Sequence, residues 1–142
     1  MPIQFKQTLA PTKDNSGKPI ILSDATFAQR KDKVLQLMRK YDFSSLMIYA
    51  DKEHGSNFEY LTGFIPRFEE ALQVINQDGT STLILGNENF NKTSMARTQS
   101  EGVLCPFFSL PNQPMDFTKT FSDYLKDVKV DDSKRIGLVD WK

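Results

Sequence analysis

The chain has 142 residues, and its 18 Lys and Arg residues balance 18 Asp and Glu residues, so the formal net charge is zero. A hydrophobic fraction of 39% and a charged fraction of 25% are ordinary for a globular domain. The missing basic excess argues against a nucleic-acid partner, and no apolar run approaches the length of a membrane span. The length predicts one folded domain.

Residues 1–22 are predicted to form an N-terminal arm. A polar stretch from Thr12 to Lys18 precedes Pro19 and the short apolar run Ile20-Ile21-Leu22, a composition typical of a loop or arm. The first residues contain no continuous apolar core of the signal-peptide kind. The domain proper is therefore expected to span residues 23–142.

Cys105 is the one cysteine of the chain, which excludes an internal disulfide. A chain without disulfides fits a reducing compartment, so the expected location is the cytoplasm. Cys105 stands between a leucine and Pro106, and we expect it to be a small buried hydrophobe rather than a reactive thiol.

The first half of the domain predicts a helix, a strand and a helical turn. Ser23 or Asp24 is a suitable N-cap. The helix after it carries an apolar stripe, and this stripe consists of Phe27, Val34, Leu37, Met38 and Tyr41. Residues 45–50 have apolar side chains at both odd and even positions, which favours a strand covered on both faces. Asn57 is expected to cap a short helical turn that ends at Gly63.

The second half predicts a hairpin and three further elements. Residues 71–76 and 80–85 flank Asp78-Gly79, a strong hairpin pattern. A polar helix over 87–97 and a strand over 102–108 follow, and Pro106 favours an edge position for that strand. Asp116 is expected to cap an amphipathic helix with its apolar residues at Phe117, Phe121, Tyr124, Leu125 and Val128. Residues 136–139 form the last strand, so the fold class is α/β, a mixed sheet with an inserted hairpin and flanking helices.

Residue types that carry catalysis are scarce. His54 is the one histidine, so neither a histidine metal motif nor a histidine cluster can form. The sequence has no Gly-x-Ser-x-Gly elbow and no phosphate-binding Gly-x-x-x-x-Gly-Lys. We therefore expect no catalytic residue and no metal ligand in this chain. Turn geometry accounts for Asp78, whose neighbour is Gly79.

Two segments are candidate contact sites. His54 follows the first strand, at the end of the sheet where sites accumulate, although a solvated loop histidine is the more common case. The segment with Phe64, Arg67, Phe68, Glu69 and Glu70 mixes aromatic and charged residues between two elements. Such a mixture marks a contact surface, or an aromatic pair packed under a loop with its charges in water.

Several of these pieces occur in an order that resembles the N-terminal domain of the creatinase/prolidase/aminopeptidase P (Xaa-Pro peptidase) family. The resemblance extends from about Phe27 to the end of the chain, and Tyr60-Leu61-Thr62-Gly63-Phe64 is its most specific part. It also includes Arg30, Leu46-Met47-Ile48-Tyr49, Asn57, the Asp78-Gly79 hairpin, Leu83-Ile84-Leu85 and Arg135-Ile136-Gly137-Leu138-Val139.

The resemblance implies a mixed sheet with a ribonuclease H-like motif, followed in the parent protein by a pita-bread catalytic domain. That second domain would hold Mn, Co or Zn as a dinuclear centre on two aspartates, a histidine and two glutamates, which have no counterpart in this chain. The chain itself would be a non-catalytic domain that supports a homodimer or larger homo-oligomer. Proline-containing peptides would be the substrates of the parent, a dipeptidase or an aminopeptidase.

The resemblance also implies that residues 60–70 border the neighbouring subunit's substrate site, with Tyr60, Phe64, Arg67, Glu69 and His54 as the candidate substrate-rim and inter-subunit residues. Creatinase-like relatives carry a substrate-binding arginine before the hairpin, and the position of Arg67 does not match it. A peptidase is therefore expected rather than a creatinase. The alternatives are a peptide- or protein-binding module of a metal-free pita-bread protein and an independent α/β domain.

Overall fold

The computed structural model describes residues 3–12, 17, 19–116 and 119–139. The described residues form one α/β unit. Its α-helices are α1 (Asp24–Lys40), α2 (Ser56–Thr62) and α3 (Phe121–Asp127), and its strands are β1 (Ser45–Ala50), β2 (Ala71–Asn76), β3 (Ser81–Leu85), β4 (Glu101–Leu104) and β5 (Ile136–Val139). Two 3₁₀ helices, Phe90–Met95 and Pro106–Phe108, lie beside β4 in the chain.

The five strands form one mixed sheet in the order β4-β3-β2-β1-β5. Strand β2 runs antiparallel to β1 and β3, whereas the β1–β5 and β3–β4 pairs are parallel. Four strands therefore point the same way, and we call the end of the sheet where they finish the carboxyl edge. The predicted fold class is confirmed, including the hairpin between Asn76 and Ser81.

Both faces of the sheet are covered, which makes a three-layer domain. Helices α1 and α2 bury Met38 and Phe58 against Ile48, Ile75 and Leu83. On the other face, Tyr124 of α3 and Val128, which directly follows the helix, are buried against Leu72, Val74, Ile84 and Cys105. The cysteine is fully buried, as predicted, and burial raises the pKa of its thiol.

Helix α1 begins as predicted, but its buried stripe is different. The Ser23 hydroxyl accepts a hydrogen bond from the Thr26 amide, which caps the helix. Leu35 is buried with Met38, whereas Leu37 and Tyr41 are about half exposed, at 52% and 51%. Positions 27, 35 and 38 share one helical face, so only one of the two neighbouring leucines can point into the core.

Two other helix starts differ from the prediction. Gly55 rather than Asn57 is the N-cap of α2, while Gly63 takes the left-handed conformation at its end (φ 84°) as predicted. Helix α3 starts at Phe121 instead of after Asp116, because Thr120 and Asp123 form a capping box that satisfies two backbone amides reciprocally. Phe117, predicted in this helix, lies outside the described residues.

The segment after β3 is also less regular than predicted. The helix expected over 87–97 is a 3₁₀ helix, Phe90–Met95. Strand β4 occupies the sheet edge, as predicted, and ends two residues before Pro106, whose missing N–H prevents further pairing. In the described part of the chain, no helix has the length and apolar character needed to cross a bilayer.

Candidate functional site

The carboxyl edge gathers four connecting segments, and most of the candidate residues lie on them. Residues 51–55 follow β1, residues 63–70 precede β2, residues 86–89 follow β3 and residues 105–110 follow β4. Loops at this end of an α/β sheet are the usual place for ligand contacts. The geometry of each candidate side chain decides which of them are available to a partner.

Glu69 faces inward and ties the segment before β2 to the segment after β3. Glu69 is only 4% exposed to solvent. One carboxylate oxygen accepts the amide of Glu88 at 3.0 Å, and the other accepts the backbone and side-chain amides of Asn89 at 3.1 and 3.0 Å. A buried carboxylate requires such donors, so Glu69 has a structural role at this edge.

Asn89 is the fully buried centre of this network. Its side-chain oxygen accepts hydrogen bonds from the backbone amide of Arg67 (3.0 Å) and from the ammonium of Lys92 (2.8 Å). Its amide nitrogen also donates to the carbonyl oxygen of Arg67 at 3.1 Å. Desolvation, assisted by the positive charge of Arg67, lowers the pKa of Lys92 against the opposing effect of Glu69. We call Glu69, Asn89 and Lys92 the edge network.

Gly86 makes room for this network. A Cβ atom at Gly86 would lie 2.6 Å from a carboxylate oxygen of Glu69 and 2.6 Å from the carbonyl oxygen of Phe108. Sequence reasoning did not identify Gly86, Asn89 or Lys92. A glycine directly after an apolar strand was the available sign of a close backbone approach.

His54 lies in a turn that Asp51 organises. A carboxylate oxygen of Asp51 accepts the amides of Glu53 (2.8 Å) and His54 (2.7 Å), and the His54 Nδ1 atom lies 3.0 Å from both carboxylate oxygens. Desolvation opposes ionisation, but the hydrogen bonds from the His54 side chain and from these amides lower the pKa of Asp51. The turn leaves 39% of the imidazole exposed, so His54 can contact a partner.

Arg67 and Phe68 are the outward-facing part of the segment before β2. Both residues are exposed, and the Arg67 guanidinium carbon lies 4.8 Å from the centroid of the Phe68 ring. Phe68 has a φ of 66°, a left-handed conformation that is uncommon for an aromatic residue. Because the neighbours of Phe68 are anchored by Asn89, the chain sustains this strain and presents the ring to solvent.

Phe68 forms one wall of a groove at the carboxyl edge. Phe107, Phe108, Leu110 and Pro111 also line the groove, which has a volume of about 530 Å³. We call these five residues the aromatic groove. Phe68 is 55% exposed and Phe107 is 50% exposed, so the groove presents open apolar surface.

Tyr60 lies on a different surface, where α2 meets α1. The Arg30 guanidinium carbon lies 4.1 Å from the Tyr60 ring centroid, and Arg30 donates a hydrogen bond of 2.7 Å to the Tyr60 carbonyl oxygen. Tyr60 is 47% exposed, and a small pocket beside it is also lined by Phe27 and Arg97. The ring is therefore fixed in position and still accessible to a partner.

Phe64 packs partly into the interior. Its ring meets Phe58 edge to face, with centroids 5.3 Å apart, and it lies against the core under α1 and α2. The structure thus separates the five candidates of the sequence. His54 and Arg67 share the carboxyl edge, Tyr60 faces the α1–α2 surface, Phe64 is half-buried and Glu69 is internal.

The residues present do not fit a dinuclear metal centre. Within the described ranges, no three histidine, cysteine, aspartate or glutamate side chains converge into a group able to hold a metal ion. Two of the carboxylates at the carboxyl edge already have partners: Asp51 binds His54, and Glu69 binds Asn89.

Comparison with proteins of known structure identifies the fold. No protein-family model and no curated protein matches the sequence. The chain does match the N-terminal, creatinase/prolidase-like domain of a Corynebacterium diphtheriae protein described as a metallopeptidase, with a TM-score of 0.56 and 16% identity over 79% of this chain and 74% of that one. The fold is that of a creatinase/prolidase N-terminal domain.

A second solved structure agrees with this fold. An Xaa-Pro aminopeptidase structure from Streptococcus pyogenes matches at a TM-score of 0.53 and 16% identity, over 82% of this chain and 92% of that chain. The resemblance to the creatinase/prolidase/aminopeptidase P N-terminal domain, stated from about Phe27 to the end of the chain, is thus confirmed at the level of fold.

Proposed function

We propose that this chain is the non-catalytic N-terminal domain of a cytoplasmic Xaa-Pro metallopeptidase, where it supports homo-oligomer formation and borders the substrate site. The fold match to a creatinase/prolidase-like N-terminal domain, at a TM-score of 0.56, is the observation that carries this proposal. A matched structure is that of an Xaa-Pro aminopeptidase. Peptide hydrolysis belongs to a separate catalytic domain, which supplies the divalent metal centre.

In this proposal His54, Arg67 and Tyr60 are the rim residues. All three are exposed, and each is held by a neighbour: His54 by Asp51, Arg67 through its backbone by Asn89, and Tyr60 by Arg30. A preorganised surface loses less entropy on binding a neighbour or a peptide. Glu69 and Phe64 act indirectly, because their contacts position the exposed residues between them.

The first test compares this chain alone with the protein encoded when the reading frame is followed about two hundred residues further, a second domain's length. Each is assayed against an Xaa-Pro dipeptide and a longer Xaa-Pro peptide, with Mn²⁺, Co²⁺ or Zn²⁺ added. We expect hydrolysis by the longer protein and none by residues 1–142. The preferred substrate would separate a dipeptidase from an aminopeptidase.

Three results would contradict the proposal in different ways. Hydrolysis by the chain alone would show that it is catalytic. A longer protein that binds proline-containing peptides without cleaving them in any of the metals would be a binding module. If the longer reading frame encodes no domain with metal ligands, the chain would be an independent α/β domain and not part of a metallopeptidase.

A further inference from the structure

Residues 3–9 of the N-terminal arm expose large apolar side chains. Ile3, Phe5 and Leu9 are 88%, 99% and 93% exposed. In an extended chain, alternate residues point to the same side, so these three side chains share one face. The opposite face is mostly polar and carries Lys6. Residues 3–9 thus have one apolar face, about 20 Å long at roughly 3.3 Å per residue, that no other described residue covers.

The aromatic groove is the complementary surface. It offers the exposed rings of Phe68 and Phe107 and the side chain of Leu110, all at the carboxyl edge. An open groove lined by aromatic side chains is the kind of site that accepts the apolar face of an extended segment. Exposed apolar surface of this kind commonly marks an interaction site.

The charges of the two surfaces also match. The exposed carboxylates Glu53 and Glu70 lie at the groove with Asp51, against two cations beside Phe68, Lys52 and Arg67. The arm carries Lys6, Lys13 and Lys18 against one acidic residue, Asp14. A basic segment and an acidic rim attract each other, which adds orientation to the apolar contact.

We propose that residues 3–9 of one copy dock in the aromatic groove of a second copy of this chain. Phe5 and Leu9 enter between Phe68 and Phe107. Lys6 lies on the outer face of the arm, and its long side chain folds over the chain to reach the carboxylates of the rim, which the short side chain of Thr8 cannot do. A reciprocal exchange gives every arm a groove and every groove an arm, as a two-fold symmetric dimer requires. The proposal rests on the proposed homo-oligomer and names the segments that form it.

The test measures dimer dissociation by sedimentation equilibrium, with circular dichroism as the check on folding. The arm variant is Phe5→Ser, and its matched control is Thr8→Ser on the opposite face. We expect Phe5→Ser to weaken the dimer about tenfold or more, because it removes a large apolar contact, and Thr8→Ser to leave it unchanged. Since residue 5 is 99% exposed, its substitution leaves the folded domain intact.

A charge exchange identifies the groove independently. Lys6→Glu and Glu70→Lys are each expected to weaken the dimer, and the double variant is expected to recover most of the affinity. In a one-to-one mixture of isotope-labelled and unlabelled chains, contacts between Phe5 and Phe107 are expected between chains. Contacts found only within a chain would overturn the proposal.

The outcomes separate this inference from the proposed function. A dimer unaffected by both Phe5→Ser and Glu70→Lys would overturn arm docking and leave oligomerisation by another surface in place. A wild-type chain that stays monomeric at every concentration would overturn both arm docking and the oligomerisation role. Loss of the dimer in both Phe5→Ser and Thr8→Ser would also contradict docking by one apolar face.

Discussion

Glu69 and Asn89 lie twenty residues apart and share two hydrogen bonds, of 3.1 and 3.0 Å, that close the carboxyl edge of the sheet. The first comes from the backbone amide of Asn89 and the second from its side-chain amide. Because both residues are buried, this pair fixes the path of the chain on either side of the hairpin. The exposure of Arg67 and Phe68 follows from that anchor.

Glu69→Ala is expected to destabilise the domain by about 3 kcal/mol, because it leaves buried amide donors without an acceptor. Urea denaturation followed by circular dichroism measures the loss. Glu88→Ala is the matched control, since that side chain is exposed and only its backbone amide contacts Glu69, and it should change stability by less than about 0.5 kcal/mol. Equal effects of the two substitutions would show that Glu69 is not an anchor.

Gly86→Ala is expected to cost about 1–3 kcal/mol, because the new methyl group would overlap Glu69 and the carbonyl of Phe108. Thermal unfolding measures the loss. Gly17→Ala is the control, since a Cβ atom there meets no atom within 4 Å, and it should leave the melting temperature unchanged. An unchanged melting temperature in Gly86→Ala would mean that the edge network can move aside.

Asp51→Asn is expected to reduce the acid dependence of stability. The folded-state pKa of Asp51 lies below the ordinary value of 3.8, so its stabilising contribution is complete above that value and disappears as the pH falls through the folded pKa. Urea denaturation at several pH values below about 5 should show a shallower decline in the variant. A parallel decline in both proteins would contradict this role for Asp51.

Tyr60→Ala is expected to lower stability by about 1 kcal/mol through loss of the contact with Arg30, whereas Tyr60→Phe keeps an aromatic ring and most of that stability. The backbone hydrogen bond from Arg30 to residue 60 survives in both variants. Chemical denaturation distinguishes them. Equal losses in the alanine and phenylalanine variants would exclude the ring–guanidinium contact as the cause.

Arg67→Ala tests the rim in the protein that carries the catalytic domain. If Arg67 lies on the rim, the substitution should raise KM or weaken the oligomer. Stability should stay within about 0.5 kcal/mol, because the Arg67 side chain is exposed and the bonds to Asn89 come from its backbone. Steady-state kinetics and sedimentation measure these effects. Lys52→Ala, the other cation beside Phe68, is the control. Unchanged assembly and kinetics in Arg67→Ala would remove it from the rim.

Local patterns in the sequence were sufficient for most elements. Strand β1 was predicted because it has apolar side chains at both odd and even positions. The hairpin was predicted because Gly79 accepts a positive φ, here 92°. The capping position at Ser23 and the end of α2 at Gly63 were equally local. These features depend on backbone preferences and side-chain periodicity within a few residues, which a sequence displays directly.

The division of the candidate site was decided by tertiary structure. Nothing near Glu69 in the sequence shows that its carboxylate will meet the amides of Asn89, since that contact forms only when β2 and β3 pair. The choice of Leu35 over Leu37 for the core likewise depends on how α1 lies on the sheet. Hence the sequence alone determined the α/β order of elements and the family they resemble, whereas long-range pairing decided which of Tyr60, Phe64, Arg67 and Glu69 reach solvent, because burial depends on contacts between distant segments.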